Sequence, residues 1–75
     1  MEINQFIKLF SEQFDETPIE IFQPETVYKD LDEWNSLTAL SVIAMVDEEY
    51  EKRITGADLR SCQKIGDLHL MIQSK

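Results

Sequence analysis

Few side chains in this 75-residue chain are able to do chemistry, and their spacing narrows the choice quickly. Ser36 stands in Trp34-Asn35-Ser36-Leu37, just before a stretch without Gly or Pro. Asn35 or Ser36 is therefore a natural helix N-cap, and the Ser36 hydroxyl is either that cap or a group open to modification. His69 is the single histidine, and a hydrolase built on Ser36 would need it as base, together with a Gly-x-Ser-x-Gly elbow that the chain lacks. A surface or half-packed helix position is expected for His69. Cys62 is the single cysteine, which excludes an internal disulfide and a cysteine-rich metal site. With no His or Lys signature around it, its thiol reads as a small packing group. Asp30 and Asp32 could open a calcium loop, but the Gly and Glu which that loop requires at its sixth and twelfth positions are here Asn35 and Ser41. No metal is expected, and Ser36 remains as the candidate site.

The elements that must position it follow from apolar periodicity. Ile3, Ile7, Phe10 and Phe14 recur at helical spacing with Phe6 alongside, which predicts a first helix over residues 3–14, stopped by Thr17-Pro18. Residues 15–35 keep no helical period, yet Ile19, Ile21, Phe22, Val27, Tyr28, Leu31 and Trp34 are too apolar for a solvated linker. A connection of this length must lie on the core, with short turns hidden in it or as part of a fold that requires a long packed loop. The second helix is expected to run to about Tyr50, with Ala39, Leu40, Val42, Ile43, Val46 and Tyr50 inward. Leu37, Ser41, Ala44 and Glu48 form an opposite, exposed and mildly apolar stripe suited to docking. Lys52, Arg53 and Gly56 mark the helix end and a reversal, and Ile54 re-enters the core. A short helix starting at Thr55 or Gly56 carries Ala57, Leu59 and Cys62 inward, and Ile65, Leu68, Met71 and Ile72 mark a last helix. The expected fold is all-α, three main helices and one short one in a single domain over residues 1–75.

Composition bounds the partners. Hydrophobic residues make up 43% and charged residues 29%, proportions of a folded globular domain. The longest apolar run, residues 42–46, is far below the roughly 20 residues a bilayer demands, so no membrane insertion is expected. The N-terminus lacks the pattern of a secretory signal, which predicts a cytoplasmic location. A net charge of −8 repels phosphates and anionic lipid and favours basic protein surfaces. Residues 30–51 concentrate that charge, with Asp30, Asp32, Glu33, Asp47, Glu48, Glu49 and Glu51 uninterrupted by Lys or Arg. Lys29, Lys52, Arg53, Arg60 and Lys64 are too scattered for a nucleic-acid footprint.

Trp34-Asn35-Ser36-Leu37 at the start of the central helix, in an acidic chain of this size, resembles the attachment motif of the acyl carrier protein family. The resemblance extends through residues 26–31 before the motif, residues 46–50 at the helix end, Ile54 and residues 65–68, each in family order. It implies a bundle of three main helices plus one short helix with a long packed loop between the first two. It also implies that Ser36 carries 4'-phosphopantetheine, transferred from coenzyme A by a phosphopantetheinyl transferase. The arm's thiol then holds acyl or aminoacyl groups as thioesters for loading and accepting enzymes with basic patches, while Ser36 acts as a tether without catalysis. At a helix N-terminus the phosphodiester would meet unpaired amides and the positive end of the dipole.

The resemblance further implies partner contacts through Leu37, Ser41, Ala44, Asp47 and Glu48, with Asp30, Asp32 and Glu33 before the serine. Carriers of primary fatty-acid synthesis commonly have acids two and five residues after the serine, where this chain has Thr38 and Ser41, and Asn35 replaces the usual Asp. A specialised pathway, such as lipid or polyketide biosynthesis outside housekeeping fatty-acid synthesis, is therefore expected. The alternative is an unmodified acidic helical adaptor that binds a basic protein through the same stripe. A monomer is expected for a shuttle visiting several enzymes.

Overall fold

The computed structural model describes residues 2–75. Its order is α1 (Ile3–Ser11), two 3-10 turns (Ile19–Ile21 and Tyr28–Asp30), α2 (Ser36–Tyr50), α3 (Gly56–Ser61) and α4 (Ile65–Gln73). The fold is all-α, with three helices of nine or more residues, one short helix and a long loop between α1 and α2. One cluster of buried side chains draws on all four helices and the loop, with Phe6, Phe10, Tyr28, Val46, Leu68 and Ile72 fully enclosed. Among the described residues no helix is long and apolar enough to cross a membrane.

Helix α1 starts where the Glu2 carboxylate accepts the amides of Asn4 and Gln5, both at 3.0 Å. It ends at Ser11, three residues short of the predicted end and well before Pro18. The amides of Gln13 and Phe14 donate to the carbonyls of Phe10 and Ser11, tightening the last turn out of α geometry. This exit serves packing. Phe14 leaves the helix line with its ring 4.9 Å from Phe22 and stacked on Trp34 at 6.4 Å, which ties the helix to the loop.

The loop hides two 3-10 turns and is only partly on the core. Phe22 and Tyr28 are buried, whereas Ile19 and Ile21, expected inside, are 55% and 46% exposed. The first turn, closed by bonds from Ile21 to Pro18 and from Phe22 to Ile19, sits on the surface and sends only Phe22 inward. The loop's far end is fastened to α4. Ile65 and Gly66 donate to the carbonyls of Thr26 and Pro24 at 3.0 and 2.9 Å. A side chain at Gly66 would place Cβ 3.1 Å from the Pro24 oxygen, so this close approach needs glycine. Tyr28 reaches across the core and donates to the Leu59 carbonyl at 2.6 Å, with the Cys62 carbonyl 3.2 Å away. Burial, with smaller contributions from Cys62 and Asp67, pushes its phenol above the ordinary tyrosine value.

Helix α2 buries Val42, Met45 and Val46, with Ala39, Ile43 and Tyr50 partly covered. Leu40, expected inside, is 60% exposed. At 100° per residue it lies about 200° from Val42, and Met45 fills the inner face instead. The helix ends on Glu51, which takes the left-handed conformation at φ 55° and donates its amide to Asp47. The reversal expected at Gly56 is thus made five residues earlier by a non-glycine residue, and Gly56 opens α3 without a positive φ.

Thr55 and Asp58 cap α3 reciprocally, with the Asp58 amide 3.1 Å from the Thr55 hydroxyl and the Thr55 amide 3.0 Å from the Asp58 carboxylate. Leu59 is buried as expected and Cys62 partly so, but Ala57 points to solvent. In α4, Ile65, Leu68 and Ile72 are buried. His69 joins them at 6% exposure with its ring 5.6 Å from that of Phe6, because the last helix presents it to α1. The expected surface or half-packed position is corrected accordingly.

Candidate functional site

Ser36 is the first residue of α2 and is exposed. The cap belongs to its neighbour. Asn35 is extended at φ −156° and ψ −175°, and its side-chain oxygen accepts the Thr38 amide at 3.0 Å. The Thr38 hydroxyl donates to the Glu33 carbonyl at 2.8 Å, bracing the entry into the helix. Trp34 stacks on Phe10 with ring planes 7° apart and meets Tyr28 edge-on at 4.9 Å, anchoring the residue two before the serine in the core. Capping, bracing and anchoring are all done by neighbours, so the Ser36 hydroxyl has no hydrogen-bond partner among the described residues. The amides of Ser36 and Leu37 also find no acceptor among these residues, as expected of a first helical turn.

Glu33 accepts the amides of Asp15 and Glu16 at 3.0 and 2.9 Å and a short hydrogen bond from the Thr17 hydroxyl. That hydroxyl, followed by the backbone donors, holds its carboxyl below the ordinary value despite some desolvation. Of the three acids before the serine, Glu33 is thus committed to shaping the loop. Asp30 and Asp32 stay exposed and make no ion pair among the described residues.

The outer face of α2 carries the other expected contact residues together. Leu37, Ser41, Ala44, Asp47 and Glu48 are all exposed, Leu37 by 75%. Leu40 adds to them. Two leucines and an alanine therefore form an exposed apolar strip running from the serine to the acids of the last turns. The rotation of 200° from Val42 was the signal in the sequence that places Leu40 here.

A cleft of about 320 Å³ opens beside Ser36 between the start of α2 and α3. Trp34, Ala39 and Leu59 wall it, Asn35 and Ser36 form its rim, and Lys29 and Arg60 supply its charge. The Lys29 ammonium donates to the Arg60 carbonyl at 2.8 Å, which ties the loop to the end of α3. These two cations were missed in the sequence because they are 31 residues apart and look scattered until the loop folds back. No carboxylate or imidazole lines the cleft. The site offers an exposed hydroxyl, free amides and positive charge. A wider groove of about 510 Å³ lies along the loop, with Pro18, Ile21 and Leu31 among Glu16, Asp30, Asp32 and Glu33.

Among the described residues no group of three His, Cys, Asp or Glu side chains is arranged to hold a metal ion. Comparison of the chain with protein-family models, with curated proteins and with solved structures finds no match.

Proposed function

We propose that this protein is a carrier which holds acyl or aminoacyl intermediates as thioesters on a 4'-phosphopantetheine arm attached to Ser36. The observation that carries this reading is the state of the serine: exposed, at the first position of the longest helix, with its hydroxyl left free because Asn35 does the capping. A serine that served only the helix would occupy the capping position itself. In the modification step the Ser36 oxygen bonds to the pantetheine-bearing phosphorus of coenzyme A. The bond from that phosphorus to the bridging oxygen breaks, adenosine bisphosphate leaves with that oxygen, and a base on the transferase takes the serine proton. The new phosphodiester then lies against the free amides of the first α2 turn, where negative charge is favoured.

The strip Leu37, Leu40 and Ala44 supports docking of the transferase and of the enzymes that load and unload the thiol, with Asp47 and Glu48 meeting basic residues. Asp30 and Asp32 extend the acidic field on the other side of the serine, whereas Glu33 acts through the loop it holds. Thr38 and Ser41 stand where acids would serve housekeeping fatty-acid enzymes, and the Thr38 hydroxyl is already bound to Glu33, which favours partners of a specialised pathway. The same exposed strip would also suit an unmodified adaptor.

One measurement separates the two. The chain is co-expressed with a broad-specificity phosphopantetheinyl transferase and its intact mass is read beside Ser36→Ala. Addition of the arm to wild type alone is expected. No addition under conditions that modify a control carrier would sink the carrier reading, and an arm retained by Ser36→Ala would sink the site.

A further inference from the structure

The charge of this molecule is distributed in a way the carrier reading alone does not require. Fifteen Asp and Glu face seven Lys and Arg in the sequence, yet the cleft at Ser36 is lined by Lys29 and Arg60 and by no acid. Neither cation is ion-paired: the salt bridge found among the described residues joins Lys75 to Asp58. Lys29 is held in place by the Arg60 carbonyl, a contact that leaves its charge unneutralised. The Arg60 guanidinium is folded back along α3 over Gly56, where an added Cβ would come within 3.3 Å of Nη1. An acidic protein that keeps two cations free of carboxylates in one cleft has a place there for an anion.

We infer that Arg60, supported by Lys29, holds the phosphodiester of the Ser36 arm in the cleft between α2 and α3. This inference rests on the carrier reading and deepens it. Ser36 and Arg60 line the same cleft of about 320 Å³, so a phosphate on the serine stands in the space the guanidinium borders, where attraction is partly screened at physiological salt with its Debye length of about 8 Å. Trp34, Ala39 and Leu59 offer apolar contact to the pantetheine methylenes beyond it. The planar guanidinium suits phosphate oxygens two at a time, which a mobile surface lysine does not.

The test compares backbone amide spectra of the unmodified and arm-bearing proteins, with modification first verified by intact mass. Asn35 and Leu37 flank the attachment point and shift in every case, so they report the bond itself. Seating of the arm shifts Gly56, Leu59 and Arg60 as well. Arg60→Gln reduces those α3 shifts at least about twofold, Arg60→Lys reduces them less, and raising salt to about 0.5 M weakens them in wild type. The spectrum of unmodified Arg60→Gln, unchanged outside residues 56–62, shows that the fold is kept. Silent α3 amides in the arm-bearing wild type, or shifts equal in Arg60→Gln, overturn the seat while leaving the carrier reading intact. Absence of the arm in the mass spectrum overturns both. Arms delivered from acetyl- and succinyl-coenzyme A identify the source of the anion: equal α3 shifts support the phosphodiester, and shifts seen only with the succinyl arm overturn it in favour of a cargo carboxylate.

Discussion

Capping and the proposed tethering fall on adjacent residues, and that separation can be broken experimentally in both directions. Asn35→Ala removes the oxygen that accepts the Thr38 amide at 3.0 Å. Loss of such a cap costs about 1 kcal/mol, within about 0.5 to 2. In a domain of this length, a loss of 1 kcal/mol lowers Tm by roughly 4 to 8 °C. Ser36→Ala removes a hydroxyl without a hydrogen-bond partner from an exposed position at which alanine is a good helix former, so stability should stay within about 0.5 kcal/mol. Arm attachment follows the opposite order, retained in Asn35→Ala and abolished in Ser36→Ala. Urea unfolding followed by the fluorescence of Trp34, half-buried against Phe10, gives both free energies, and intact mass after transferase treatment gives the modification. If Ser36→Ala costs more than about 1 kcal/mol while Asn35→Ala costs nothing, the serine is the cap and the argument from its free hydroxyl fails.

Other consequences are as direct. Glu33 is held below its ordinary value of 4.5, so the stability it contributes is complete above that pH and is lost as pH falls through its lower folded value. Glu33→Gln should flatten the acid limb of a stability profile measured by urea midpoints from pH 6 downward, and an unchanged limb would contradict the hydrogen bonds from Thr17, Glu16 and Asp15. Glu51 sits at φ 55° with its charge at the negative end of α2, so Glu51→Gly should raise stability by about 1 kcal/mol in thermal unfolding, where a loss would show the conformation to be unstrained. Leu40→Glu places a charge on a residue 60% exposed and should leave stability within about 0.5 kcal/mol. It should also reduce kcat/KM for arm transfer roughly tenfold by disrupting the docking strip, and an unchanged rate would remove Leu40 from the interface.

Residue order alone determined the class of fold and the helix that matters. Periodicity is a local property, so Val42 and Val46 could be placed inside, and Leu37, Ala44 and Glu48 outside, before any packing was known. Polar residues before an uninterrupted stretch likewise located the start of α2 to within one position. The choice between Asn35 and Ser36 as cap was not local. It depends on an extended backbone at Asn35, which is held by Trp34 against Phe10 and by Thr38 bound to Glu33. Ser36 is free because contacts distant in sequence assign the capping to its neighbour.

The same reason explains the other differences. The end of α1 follows from where Phe14 must go to reach Phe22 and Trp34, and from Glu33 gathering the amides of Asp15 and Glu16 eighteen and seventeen residues earlier. Burial of His69 depends on Phe6 at the other end of the chain. Glu51 takes a conformation that propensity would give to glycine because the chain must turn there to return Ile54 to the core. Above all, the cations beside the serine belong to the loop and to α3, and only the tertiary fold, through Lys29 bound to the Arg60 carbonyl, gathers them into one cleft. Sequence determines which residues share a helix face, because that geometry repeats every few residues. Tertiary structure decides which charges share a cleft, because that depends on where the chain comes back to itself.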